Sequence, residues 1–464
     1  MPGRETTDPV RDAKAQETSK DIGSTDIKAT MSPGRRLWHD RNFNIFWAGQ
    51  TFDALGDSLA LVIIPLLVLE ATGSVSQMGF VTATIGTGSL ISTFVSGIIV
   101  DRVNRRKVMI FSDIGRTAVY SLIPITWFLL TPSLWLIYAV AAFTAFLNIS
   151  FNLAYNTATP NIVDQDQITN ANGRLQTMVA VAYVAGPVLA GYTSKMAGPV
   201  WGVQLISLSY LTSAVLMFMV RLRKTSIASS TEAESTKQTS RLDEFLAGMR
   251  FLLHHPVLRP ATLILAAFIF FSDITLDLSI FRLKHDLNQN DHAIGIVFGI
   301  ASLGAILAGG IAATLRKKLG FGLCFLGSLI LQATAIGATG LAGTVAVMAV
   351  LATLFTFGLT FRIICIMSLR QQVTPDRLLG RVTSALYTLT LVTGAIGTAI
   401  AGVVAEKMGA RPVLIFTGSM CVIVSALGFF TAARSARPEK EAMAINKSGG
   451  SGQILPTPEA TIEA

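Results

Sequence analysis

Charge is what this sequence has least of. Asp, Glu, Lys and Arg make up 14% of its 464 residues, against about 25% in an ordinary soluble domain. Apolar residues make up 51%, and the mean hydropathy is +0.55. Three soluble domains of about 150 residues, which the length alone would allow, could not cover their surfaces with so few charges. The composition implies an integral membrane protein. Cysteine is scarce as well. Cys324, Cys365 and Cys421 all lie inside apolar runs; their odd number excludes a secreted disulfide framework, and no CxxC or Cys/His cluster has metal-ligand spacing. The five histidines fall at the ends of apolar runs or between them. A His-Glu-x2-His pair, a nucleophile elbow and a Gly-x4-Gly-Lys-Ser/Thr phosphate loop are all missing, so neither an enzyme nor direct use of ATP is expected. The net charge of +9 comes from bases in short polar gaps, without interleaved aromatics, which argues against a nucleic-acid partner. Residues 1–36 lack a signal peptide's apolar core and are expected to be a disordered tail, with Met31 an alternative start.

What is present is a series of apolar runs long enough to cross a bilayer, about 20 residues each. Twelve are predicted, at roughly 42–69, 75–100, 107–130, 133–156, 173–196, 200–221, 257–281, 292–315, 321–340, 342–366, 381–405 and 411–433. Placing the N-terminus inside puts about two dozen Lys and Arg residues on one side and five on the other, so both termini are expected to be cytoplasmic. The longest gap, 222–241, is rich in Ser, Thr, Glu and Lys and reads as a linker. Leu242, Phe245, Leu246, Met249, Leu252 and Leu253 then form one apolar helical face that ends at His254-His255-Pro256. This predicts a helix on the cytoplasmic membrane surface; a simple extension of the seventh span is the alternative. The expected organisation is a tail (1–36), a six-helix half (37–221), a linker with its amphipathic helix (222–256), a second six-helix half (257–433) and a second disordered tail (434–464). The halves repeat. Thr159-Pro160, Gly173-Arg174 and Gly191-x3-Lys195 recur as Thr374-Pro375, Gly380-Arg381 and Gly402-x3-Glu406, some 210–215 positions later. Parallel six-span repeats with a substrate between them describe one major transporter architecture.

Several motifs carry a family resemblance. Gly97-x3-Asp101-Arg102-x2-Arg105-Arg106-Lys107, between the second and third runs, resembles the loop signature of the major facilitator superfamily, with Asn104 in place of a glycine. The matching site of the second half, Gly310-x3-Thr314-Leu315-Arg316-Lys317-Lys318, keeps the bases and loses the acid. The fifth run, Gly173-x8-Ala182-x3-Gly186-Pro187-x2-Ala190-Gly191, resembles the antiporter motif of that superfamily. Small residues there permit close helix contact, and proline leaves a carbonyl unpaired; simple helix packing would explain the same pattern. Gln50-x5-Gly56-Asp57, Pro65-Leu66-Leu67, Asp113-x2-Arg116, His255-Pro256-x2-Arg259 and Val373-Thr374-Pro375-Asp376-x3-Gly380-Arg381 look like the branch of enterobactin-type siderophore exporters and macrolide or multidrug efflux proteins. The resemblance covers about residues 38–433. It implies an all-α fold of twelve transmembrane helices in two pseudo-symmetric six-helix bundles. It also implies a gating role for Asp101 and Arg102, with Gly97, Arg105 and Arg106 in the same loop.

Ionisable groups near a bilayer centre are costly and normally face a cavity or a partner. Asp53 and Asp57 in the first run, and Asp273 and Asp277 in the seventh, are each spaced i, i+4 on one helix face. Asp57 and Asp273 lie about 13–16 residues from the starts of their runs, or roughly 20–24 Å along a helix. Their separation of 216 positions matches the repeat. Gln50 extends the polar stripe of the first run. Asp113 and Arg116 (i, i+3) fit a structural ion pair. Arg362 is expected near the cytoplasmic end of the tenth run, where it snorkels, pairs with an acid or meets an anionic substrate group. Asn148, Asn152 and Asn156 share a face of the fourth run and suit interhelical hydrogen bonds. The expectation is a proton-driven exporter of small amphipathic molecules, whether drug, antibiotic or siderophore, working by alternating access with Asp57 as coupling group. An importer on the same scaffold and a transport-inactive sensor are the alternatives. No cofactor is expected beyond the proton gradient. Expected partners are a small-molecule substrate and the lipid bilayer, with the monomer as functional unit in a bacterial-type inner membrane.

Overall fold

The computed structural model describes residues 40–129, 133–158, 162–163, 168–221 and 241–435. The tail 1–36, most of the linker, Thr159-Pro160 and the segment after Ser435 lie outside the described residues. Helices account for nearly all the rest, and no strand occurs among the described residues. The first half comprises α1 (Arg41–Thr72), α2 (Val75–Arg102), α3 (Arg105–Leu129), α4 (Leu134–Ala158), α5 (Ile168–Ala197) and α6 (Pro199–Met219). The short helix α7 (Arg241–His254) follows. The second half contains α8 (Leu258–Ser272), α9 (Thr275–Phe281), α10 (Asp291–Thr339), α11 (Val345–Val373), α12 (Asp376–Met408) and α13 (Ala410–Gly428).

Eleven segments among the described residues are long and apolar enough to cross a membrane, and α2, at 28 residues, takes the second place in the series of twelve. Helix α10 holds the eighth and ninth spans, parted at Gly320, whose φ of 81° breaks the helix where the sequence predicts a gap. Large apolar side chains such as Phe111, Leu129, Trp135 and Phe430 stand exposed around the bundle. That pattern suits lipid as the solvent and would be a liability in water.

The repeat visible in the sequence is also a repeat of backbone. Gly198 and Gly409, 211 positions apart, both cap the start of a last span with φ near 85° and ψ of 160°, a conformation that side chains with a Cβ rarely adopt. The two halves meet along two helix pairs, α2 with α12 and α5 with α10. Both pairs close on glycine. A Cβ on Gly79 would lie 2.9 Å from the Thr398 carbonyl, and Gly402 stands beside it. A Cβ on Gly191 would lie 2.4 Å from the Asp291 carbonyl, next to Gly295. Gly79 maps onto Gly295, and Gly191 onto Gly402, by the same sequence repeat, so one contact is the pseudo-symmetric copy of the other. Both contacts sit toward the end of the bundle opposite Arg41 and Arg105, called here the far end. Glu406 adds to the closure there by accepting hydrogen bonds from the Ser74 hydroxyl (2.8 Å) and the Ser76 amide (3.1 Å). Toward the basic end, the Cβ positions of Gly173, Gly309, Gly310 and Gly380 meet nothing within 4 Å among the described residues.

Two expectations need correction. The seventh span is not one helix: it breaks between Ser272 and Thr275 and winds through a π turn at Arg282–Asp286. The Thr275 and Ser279 hydroxyls satisfy carbonyls around the break, so hydroxyl-rich sequence, rather than proline, carries it. The alternative of α7 as a plain extension of that span also fails. A turn at His255–Val257 separates α7 from α8, with the His255 ring accepting from the Val257 and Leu258 amides. Helix α7 packs instead on α12, where Gly248 lies against the Arg381 backbone.

Candidate functional site

Helix α1 brings Asp53 and Asp57 to one face, as the i, i+4 spacing requires, and the side chain that answers them is Arg116 of α3. Arg116 is 1% exposed. Its guanidinium donates to Asp53, to Asp113 Oδ1 (2.5 Å) and to Asp57 Oδ1 (3.4 Å). It lies over the Tyr210 and Phe151 rings, 4.1 and 4.7 Å from their centroids, a setting that suits the flat, weakly hydrated guanidinium. Asp57 also accepts from Asn148 Nδ2 (2.8 and 3.0 Å) and the Tyr210 hydroxyl (2.7 Å). Asp113 accepts from Ser213 (2.7 Å), and Asn152 steadies Asn148 by donating to its carbonyl and amide oxygens (3.0 Å each). Asp113 and Arg116 therefore form more than the local pair their spacing suggests. They are the centre of a network that ties α1, α3, α4 and α6 together.

Of the three acids around Arg116, only Asp57 lines the adjoining cavity of about 340 Å³. Ile64, Val81, Tyr120, Thr144 and Tyr183 supply apolar and hydroxyl-bearing wall, and Asp273 and Asp277 close the side toward the second half. Asp57 and the pair Asp273 and Asp277 thus face one space, although α1 and the seventh span belong to different halves. Asp277 is buried and accepts from Thr82 of α2 (2.8 Å), a hydrogen bond between halves. Asp273 lies at the helix break and is exposed toward the cavity. Gly394 makes room for it, since a Cβ there would come within 2.5 Å of its carboxylate. Gln50 is buried on the α1 stripe, and its amide nitrogen has no hydrogen-bond partner among the described residues.

Arg362 is placed differently from expectation. Helix α11 runs on to Val373, seven residues past the predicted end, so Arg362 lies well inside the helix and does not snorkel. It is 6% exposed, with its guanidinium 5.7 Å from the Phe268 ring centroid.

Glycine 186 explains its own motif. A Cβ there would fall 2.3 Å from the Ser58 hydroxyl, so α5 can touch α1 beside Asp57 only with glycine at this point. Pro187 has no N–H for the Tyr183 carbonyl one turn back, and Ser302 of α10 donates to that carbonyl instead (2.6 Å). Gly191 then makes the contact with Gly295, whereas a Cβ on Gly173 would meet nothing within 4 Å among the described residues. In the loop signature, Gly97, Asp101 and Arg102 end α2, and the positions of their side chains lie outside the description. Arg105 has partners. Arg106 donates to the Met217 (3.1 Å) and Phe218 carbonyls, capping the C-terminus of α6 within its own half. The side chain of Asn156 also lies outside the description.

Sequence reasoning missed Tyr210, Phe151 and Thr82. Tyr210 had one indirect signal. Gly56, beside Asp57, leaves the space the ring occupies, with Cε1 2.9 Å from where a Cβ would sit.

Two helical halves meet about a largely apolar cavity that carries the carboxylates of Asp57, Asp273 and Asp277, the architecture of a membrane transporter. The sequence profile of the Major Facilitator Superfamily matches residues 46–283 and 263–456, and the chain belongs to that family. It is 25% identical over 346 residues to the enterobactin exporter EntS of Citrobacter koseri, covering 74% of this chain and 80% of that protein. It is 26% identical over 155 residues to macrolide efflux protein A of Streptococcus pyogenes, covering 32% of this chain and 36% of that protein. The crystal structure of the nucleoside transporter NupG shares the fold, with a TM-score of 0.68 and 11% identity over 86% of this chain and 99% of that one.

Proposed function

We propose that this chain exports small amphipathic molecules in exchange for protons, with Asp57 as the coupling carboxylate. One observation carries the reading: three carboxylates surround the single guanidinium of Arg116, and only Asp57 reaches the cavity. Two more acids than bases give the cluster capacity for a proton, and Asp57 is where a proton or a cationic substrate group arriving through the cavity is met first. Protonating Asp57 weakens its bonds from Arg116, Asn148 and Tyr210 together. Next to it, Ser58 bears on Gly186, and α5 continues through Pro187 and Gly191 into the contact with α10. A change of charge at Asp57 therefore has a packed route to the interface that must open in alternating access.

The export direction draws support from the similarity to the enterobactin exporter and the macrolide efflux protein. The excess of bases at one end supports placing both termini in the cytoplasm of a bacterial-type inner membrane, with the monomer as the working unit and no cofactor besides the gradient. By its place in the loop signature, Asp101 serves the gate at that end.

The test is proton exchange in vesicles. A panel of drugs, antibiotics and siderophores is offered to reconstituted protein under an imposed pH gradient. Uptake into inverted vesicles with proton release is expected for some member, and Asp57→Asn should abolish the release. Wild-type proton exchange by Asp57→Asn refutes the coupling site. Accumulation in right-side-out vesicles instead refutes the direction.

A further inference from the structure

The geometry points to an anion subsite at Arg362, in which its guanidinium, flanked by Gln332 and floored by Phe268, receives a carboxylate or phenolate oxygen of the transported molecule. Arg362 is a buried cation with no counter-ion at hand. Among the described residues no carboxylate comes within 4 Å of it, its Nε has no hydrogen-bond partner, and it lies over the Phe268 ring. Gln332 of the ninth span is fully buried, and both its amide nitrogen and amide oxygen lack partners. Both side chains border one face of α11. Gln332 packs against Gly358, whose Cβ would lie 2.7 Å from Gln332 Cγ, and Gly358 stands one turn before Arg362 on the same face of α11. An orphaned guanidinium beside an orphaned amide is costly in a low-dielectric interior. Arg116, the other cation buried at mid-span, shows how this protein pays that cost when the ligand is its own, with three acids and two rings.

Asp273, five residues beyond Phe268 in the seventh span, makes no ion pair with Arg362 and lines the cavity wall beside Gly394. Its charge competes with an incoming anion. The arrangement therefore selects a molecule with an anionic oxygen on a flat, aromatic-compatible body, since Phe268 presents a ring face below the guanidinium. Amphipathic substrates would be read at two poles: the acid-rich Arg116 cluster and the unpaired cation of the second half.

This inference takes from the transport reading only that the cavity belongs to the substrate. Its test is binding, which needs no gradient. Full-length protein in lipid nanodiscs is titrated with radiolabelled salicylate and with salicylamide, its neutral isostere. Wild-type protein should bind salicylate saturably and at least tenfold more tightly than salicylamide. Arg362→Gln should lower salicylate affinity about tenfold and erase the preference, leaving salicylamide unchanged; Arg362→Lys should restore part of it. Asp273→Asn should tighten salicylate by removing the competing charge. Absence of saturable salicylate binding to wild type, or an unchanged preference in Arg362→Gln, overturns the subsite. Should Arg362→Gln fail to fold, Gln332→Leu decides: a loss of threefold or more in salicylate affinity is expected, and no loss overturns it. A preference for salicylate in protein that exchanges no protons would sink the export reading alone; proton exchange without any salicylate preference would sink the subsite alone.

Discussion

The two halves of this molecule share a backbone repeat and differ in how they treat a buried cation. In the first half, Arg116 is paired with Asp53, Asp57 and Asp113 and lies against the Phe151 and Tyr210 rings. In the second, Arg362 has a ring and an unpaired neighbour amide. Asp57 and Asp273 are repeat mates, yet Asp57 is held by three side chains and Asp273 faces the cavity from a broken helix. A duplicated scaffold can thus give one half a preorganised polar core and leave the other half's polar groups free for a ligand. Each half keeps the glycine contacts that let it close on its partner.

The comparison breaks most visibly if Arg116 is removed. Arg116→Met strands three carboxylates in an apolar interior, and loss of one partner of a buried pair costs about 3–5 kcal/mol. Purified yield and melting temperature should both collapse, whereas Arg362→Met, which strands no bonded acid, should melt close to wild type. Equal melting temperatures for the two would show that the Arg116 network is not structural.

Gly186→Leu should follow in size. Its side chain has nowhere to go with the Ser58 hydroxyl 2.3 Å from the Cβ, and transport should fall below a tenth of wild type at equal expression. Gly173→Leu, where the Cβ meets nothing within 4 Å among the described residues, should transport normally. Equal rates in the two variants would remove the α5–α1 contact from the mechanism.

A finer separation comes from the acid mates. Asp57→Asn should lose proton exchange while Asp273→Asn keeps at least half of it, measured as protons released per substrate moved. The reverse order would hand the coupling role to the second half. The smallest effect is expected at the rim. Glu406→Gln weakens two exposed hydrogen bonds worth together about 1–2 kcal/mol or less. Opening at the far end should become several-fold more frequent, read as faster labelling of a Val68→Cys variant by an impermeant maleimide. Unchanged labelling would mean that the glycine contacts alone hold that end.

Much of this was legible in the chain. Apolar runs long enough to span a bilayer have one low-energy form there, because every backbone amide must find its partner within the segment. Number of spans, the gap at Gly320 and the repeat of Gly191 and Gly402 follow from that constraint and from residue spacing. The i, i+4 pairs of Asp53 with Asp57 and Asp273 with Asp277 were likewise readable as faces of helices. Which face meets which was not. Arg116 lies 59 positions from Asp57 and Tyr210 lies 153 away, and no local pattern ties them, since their meeting depends on how α1, α3 and α6 rotate as they pack. The break at Asp273 was hidden for a related reason: hydroxyls that satisfy freed carbonyls look in sequence like ordinary span residues. Arg362 was misplaced because its burial depends on the true end of α11 and on Phe268 from another helix. Periodicity is a local property of the chain and was decided by sequence; counter-charge, cavity and closure are relations between distant segments, and only tertiary packing decided them.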